Sequence, residues 1–170
     1  TQVSPGPAVQ LLAALSPAGN AVISRSAFSS SRYTWEKNRR ITGFVQPTSM
    51  TDAANTGYAI TGTTQYGFGI KISSGNVYAV SISGGTETTT LLFAVSGLEI
   101  EFSAVFDSGT DVVITASQGA SSGSATITTN LPSGTTESIT DFRIDLTSSG
   151  AGSLSGTMTV TEYTFLQERA

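Results

Sequence analysis

Histidine and cysteine are both missing from the 170 residues, and each absence removes whole classes of chemistry. Without cysteine there is no disulfide, no thiolate nucleophile and no Cys-based zinc or iron–sulfur site. Without histidine there is no Ser-His-Asp triad, no imidazole acid or base and no His-ligated zinc. Charge is scarce as well, at 12% of residues, and no apolar run approaches the length of a membrane span. The start lacks the basic residues of a signal peptide. No Asn-x-Ser/Thr sequon occurs, which points away from a eukaryotic secreted origin.

What the chain has instead is hydroxyl: Ser (25) and Thr (26) make up nearly a third of it. Apolar residues reach 38% and aromatics 8%, enough to build a core, so disorder of the charged, aromatic-poor kind is excluded. The net charge of −4 is unevenly placed. Residues 1–50 carry Arg25, Arg32, Lys37, Arg39 and Arg40 against Glu36 alone, while residues 51–170 carry Lys71, Arg143 and Arg169 against eleven carboxylates. An acidic body argues against phosphate-backbone binding, so no nucleic-acid partner is expected, and no membrane partner either. The basic stretch suits an acidic surface of its own domain or of a neighbour.

Residues 1–32 stand apart as an N-terminal arm, punctuated by Pro5, Pro7 and Pro17. Ala8, Leu11, Leu12 and Leu15 fall at the spacing of one apolar helix face. Two readings follow, a short helix or extended arm packed on its own domain, or an arm whose stripe docks on a partner. The partner-binding set is Leu11, Leu12, Leu15, Arg25, Arg39 and Arg40. Docking between subunits implies a homo-oligomer, with three-fold closure preferred.

Residues 33–170 alternate with period two. Phe68, Ile70 and Ile72 alternate with Gly69 and Lys71; Leu98, Ile100, Phe102, Ala104 and Phe106 with Glu99, Glu101 and Ser103; Phe142, Ile144 and Leu146 with Arg143 and Asp145. Each pattern is a strand with one buried and one wet face. Near the end the apolar phase switches from Met158 and Val160 to Tyr163 and Phe165, as a β-bulge requires. Glycine-rich turns at 74–76, 84–85, 108–109, 119–123 and 132–134 separate ten to twelve strands, with no helix after residue 20. The fold class expected is all-β, a two-sheet antiparallel sandwich. Its interior should hold Phe68, Ile70, Tyr78, Ile100, Phe102, Ile114, Phe142, Ile144 and Phe165.

The order of Tyr66-Gly67-Phe68-Gly69-Ile70, the Gly75-Asn76 hairpin, Thr-rich 86–90, Leu98-Glu99-Ile100-Glu101-Phe102 and Thr129-Asn130-Leu131-Pro132 resembles the concanavalin A-like, laminin G-like jelly roll of bacteriophage and viral virion proteins. The resemblance spans residues 41–168 and is one of pattern. Where such domains carry a Tyr-Val-Asn/Asp-Gly turn, this chain has Thr115-Ala116-Ser117-Gln118-Gly119. The resemblance implies a virion location and capsid or other virion proteins as partners. The role it implies is that of a non-enzymatic capsid decoration, head spike or fibre-tip domain attached through the arm. The alternative is a lectin-like module that binds a glycan for host recognition.

Glu99 and Glu101 sit two apart, as in the Glu-x-Asp-x-x-Glu strand of laminarinase-type hydrolases, but Ser103 and Ala104 follow and the closing Glu is missing. Catalytic residues are therefore not assigned. Asp107 and Asp111 flank a Ser-Gly turn that explains them without calcium, and no metal or cofactor is assigned. Tyr33, Trp35, Arg39 and Arg40 form either an interface patch or, for the aromatics, an inward-facing strand. Gly67-Phe68-Gly69 lacks the helix start of a phosphate loop.

Overall fold

The computed structural model describes residues 11–14, 20–25, 35–48, 50, 55–134, 142–148 and 157–167. They form twelve strands and no helix, in two six-stranded antiparallel sheets packed face to face. One sheet, A, has the order β1 (Leu11–Ala14), β12 (Thr157–Gln167), β3 (Arg39–Thr48), β8 (Ile100–Asp107), β9 (Asp111–Gln118) and β10 (Ser121–Ile127). The other, B, has the order β2 (Asn20–Arg25), β11 (Phe142–Ser148), β4 (Asn55–Gly62), β5 (Gly67–Ser73), β6 (Asn76–Ser83) and β7 (Thr86–Ala94). The all-β, two-sheet antiparallel sandwich expected from period-two patterning is the architecture found.

The core follows the alternation. Ile41 and Val45 of β3, Ile100, Phe102, Ala104 and Phe106 of β8, and Val112 and Ile114 of β9 face Phe68, Ile70 and Ile72 of β5 and Phe142, Ile144 and Leu146 of β11. Phe68 and Phe106 stack across the two sheets with centroids 5.4 Å apart, and Trp35 meets both edge-on. Phe142 stacks on Tyr163 at 4.9 Å. Of the nine residues expected inside, eight are buried. Tyr78 is the exception. The two-residue turn Ser74-Gly75 sets Asn76 opposite Ser73, which pairs Tyr78 with Lys71 on the outer face. Leu98 also differs, for it precedes β8 and is exposed.

The phase switch near the end of the chain is a bulge. The ladder between β12 and β3 shifts between Val160 and Glu162, so Met158 and Val160 before it and Phe165 after it are all buried. One extra residue lets an eleven-residue strand keep its apolar side inward throughout.

The arm departs from the helical alternative. Leu11–Ala14 is a strand paired antiparallel with 157–160, and Asn20–Arg25 is a strand paired with 142–147. Without them β12 and β11 would each present an open row of unpaired backbone donors and acceptors. That demand outweighs the helical spacing of the leucines. Over these stretches the arm is part of the sandwich. Leu15 and Ala8 lie outside the described residues.

At the far edge, β7 and β10 approach each other. A Cβ on Gly123 would sit 2.9 Å from the Leu92 backbone, so glycine there permits the close approach. Asn130 Nδ2 donates to Thr88 Oγ1 at 2.9 Å, and Ser81 Oγ donates to the Asn130 carbonyl at 2.9 Å, tying the link after β10 to sheet B.

Candidate functional site

The outer face of sheet A carries a trough of about 670 Å³ across β3, β8, β9 and β10. It is lined mainly by outward residues of these strands, with Gly43, Phe102, Ala116 and Gly123 between them. Strand register sorts the outward residues of sheet A into rows running across the strands; of those in the rows, Thr164, Glu162, Val105, Val113 and Thr126 lie beyond the lining of the trough. One row is Thr164, Thr42, Ser103, Thr115 and Ser124, one hydroxyl from each of five consecutive strands. The next row is Glu162, Phe44, Glu101, Ser117 and Ser122. On the other side of the hydroxyls run Arg40, Val105, Val113 and Thr126. Phe44 is half-buried, while Arg40, Glu101 and Glu162 are exposed.

This surface combines what a polar, ring-containing ligand needs: an aromatic face, two carboxylates, a guanidinium and a line of hydroxyls that both donate and accept. Among the described residues, none of the five row hydroxyls is engaged by another side chain. One end of the trough is braced. Gln118, buried at the end of β9, accepts from the Ser96 amide at 2.8 Å and donates to the Leu98 carbonyl; Gln46 Nε2 donates to the Gly97 carbonyl at 2.5 Å. These bonds fix the link from β7 to β8 and hence the entry to the strand that carries Glu101.

The residues singled out from the sequence are not gathered into one patch. Leu11 and Leu12 lie in the edge strand of sheet A, and Arg25 ends the edge strand of sheet B. Arg39 is a correction to the partner-binding set. It points inward, is 2% exposed, and its guanidinium carbon stands 4.1 Å from the Trp35 ring centroid. The cause is strand parity: Arg39 shares the inward face with Ile41 and Val45. Arg40, one residue on, faces out and lines the trough. Trp35 takes the inward alternative, and Tyr33 lies outside the described residues.

Glu101 lines the trough; Glu99 is exposed just ahead of the strand. Asp107 and Asp111 close the β8–β9 hairpin opposite one another, with the Thr110 amide donating to the Asp107 carbonyl at 2.9 Å. Ser108 anchors that turn to the Trp35 segment through the Asn38 side chain and the Trp35 carbonyl. Among the described residues, no group of three or more Asp or Glu is placed to hold a metal ion.

The outer face of sheet B is built differently. Ile60, Val80 and Ile82 form a small second core, fully buried although they point away from the main one. Lys71 of β5 pairs with Glu87 of β7 at 2.6 Å, and Tyr58 of β4 donates to the other Glu87 oxygen at 2.5 Å. Register places Glu87 opposite Ile82 and Lys71 opposite Tyr78, so the ion pair crosses β6 above Val80. A side chain at Gly69 would come within 2.3 Å of the Ala59 carbonyl, so only glycine lets β5 lie this close to β4 there. Burial, then the hydrogen bond to Glu87, then the Glu87 and Asp145 charges hold the Tyr58 phenol well above its ordinary pKa of 10.0. The cluster is a structural cap.

Sequence reasoning reached Glu101 and Arg40 and missed Phe44 and the hydroxyl row. The outward Ser and Thr positions are visible strand by strand. Their alignment into a line depends on register between strands far apart in sequence.

No family model and no curated protein matches the chain. Solved structures do. A protein of unknown function from Shewanella oneidensis MR-1 matches with a TM-score of 0.63 at 12% identity, covering 98% of this chain and 78% of that one. The binding domain of botulinum neurotoxin serotype G matches at 0.58 and 10% identity, over 99% of this chain and 44% of that one. Botulinum neurotoxin type C, whose cell entry depends on interaction with two ganglioside molecules, matches at 0.57 and 9%, over 97% and 41%. The chain thus spans less than half of these toxin chains. Likeness at such identities establishes the fold: these are β-sandwiches of the same architecture.

Proposed function

We propose that this chain is a non-enzymatic carbohydrate-binding module and that the trough on sheet A is its binding surface. The observation that carries the reading is the line of unengaged hydroxyls beside Phe44 and Glu101. Sugars present apolar ring faces and a periphery of hydroxyls, so they are held by an aromatic platform with a few placed polar groups around it. The ganglioside interaction of the type C toxin lends support from a protein of the same fold, though fold alone does not carry function. The test is a broad glycan array, probed with the wild-type protein and with Phe44→Ala. The reading requires binding that Phe44→Ala lowers at least tenfold without unfolding the sandwich. A folded protein that binds no glycan on the array would overturn it.

A second reading, that the domain is displayed on a virion, draws on the sequence resemblance and on strand order. The N-terminal strand β1 lies at one edge of sheet A, and the trough extends to β10 at the other. Anchoring through the N-terminal segment would leave the trough facing outward. Mass spectrometry of purified virions tests this: a defined copy number per particle supports display, and absence from the particle removes it.

A further inference from the structure

We infer that the ligand of the trough is a neutral polysaccharide that lies across the strands, one sugar to each strand, along the row Thr42, Ser103, Thr115 and Ser124 of the trough and on to Thr164 on the neighbouring strand. The inference rests on the carbohydrate-binding reading and adds the orientation, length and charge class of the glycan.

Neighbouring strands are about 4.8 Å apart, so five strands set their outward side chains along about 19 Å. A pyranose in a linear chain advances by nearly the same step as one strand spacing. Because the row is set by hydrogen-bonded register, its hydroxyls recur at that step without side-chain adjustment. A chain lying along β3 or β8 would instead meet one hydroxyl and then Arg40 and Phe44, or Val105 and Glu101. The row is flanked by Arg40, Val105 and Val113 on one side and by Phe44 and Glu101 on the other; of these, Arg40, Phe44 and Glu101 line the trough.

Charge selects the class. Glu101 and Glu162 stand on the same row as Phe44, against the one guanidinium of Arg40, on a body whose formal charge is −4. An anionic polymer would be repelled along its length, whereas neutral sugar hydroxyls donate well to exposed carboxylates.

The experiment is calorimetric titration with neutral gluco- and manno-oligosaccharides from disaccharide to hexasaccharide, and with oligogalacturonides of the same lengths. Thr42→Val and Thr115→Val each remove one hydroxyl while keeping shape and strand preference; Thr89→Val, on the other sheet, is the control. Affinity for the neutral series should climb with length and level off at the pentasaccharide. Each row variant should weaken binding of the pentasaccharide by about fivefold to tenfold, as loss of one hydrogen bond predicts, with the melting temperature unchanged. Affinity independent of length, preference for the oligogalacturonides, or row variants that bind as well as Thr89→Val would each overturn the inference while glycan binding itself stood. Absence of binding on the glycan array would remove the underlying reading instead.

Discussion

The guanidinium carbon of Arg39 lies 4.1 Å from the centre of the Trp35 ring, and both residues are 2% exposed. A buried cation over an indole face is drawn to the negative face of the ring quadrupole, and such pairs are worth about 2 kcal/mol when desolvated. Trp35 also closes the Phe68–Phe106 stack. Trp35→Ala should therefore cost more than cavity formation alone, at or above the upper end of about 3–5 kcal/mol. Trp35→Phe should cost much less, since it keeps an aromatic face and deletes an indole N–H with no acceptor among the described residues. Urea denaturation followed by circular dichroism measures both. Equal losses for the two variants would show that the ring face contributes nothing.

The bulge in β12 was legible in the sequence because it is a local event: apolar parity changes at one point, between Val160 and Tyr163. The cores of β5, β8 and β11 were legible for the same reason. Arg39 was not, since charge suggested a surface and only its phase with Ile41 and Val45 places it inside. Nor were the roles of Leu11–Ala14 and Asn20–Arg25, whose partners lie more than a hundred residues away. Deleting Thr161 tests the register directly. It removes the extra residue and leaves Val160 opposite Val45 and Glu162 opposite Phe44 in an uninterrupted ladder, so Phe165 stays opposite Ile41 on the inner face. The expected outcome is a folded sandwich whose midpoint in chemical denaturation stays close to that of the wild type. A loss of several kcal/mol, within a stability of about 5–15 kcal/mol, would mean that the bulge itself is needed to seat the strand end.

Tyr58 should make the fold sensitive to alkali. Its phenol is held above the ordinary 10.0 in the folded protein by burial and by Glu87, whereas an unfolded chain restores the ordinary value. The stabilising contribution is thus complete below pH 10 and is lost as pH rises toward the folded value, because only the unfolded chain gains by ionising. Tyr58→Phe removes the titration together with its hydrogen bond. It should be less stable than the wild type at neutral pH and should lose less stability between pH 9 and pH 11, roughly one unit either side of that ordinary value. Thermal melts across that range decide the matter; parallel curves for the two proteins would refute the assignment.

Glu101 and Glu162 flank Phe44 on adjacent strands, so their backbones stand about 10 Å apart, two strand spacings. That separation invites comparison with paired-carboxylate hydrolysis, in which one carboxyl donates a proton and the other activates water. The acid of such a pair is kept protonated at neutral pH by an apolar or like-charged setting. Both glutamates here are exposed to solvent, and neither sits in an apolar pocket of that kind. The prediction is that glycans bound by the trough are released unchanged. Reducing-end assays on the gluco- and manno-oligosaccharides should show no product from the wild type, and Glu101→Gln should lower affinity by less than tenfold. Product release by the wild type that Glu101→Gln or Glu162→Gln abolished would make the trough an active site, because a hydrogen-bonding carboxylate can be replaced by its amide with modest loss and a proton donor cannot.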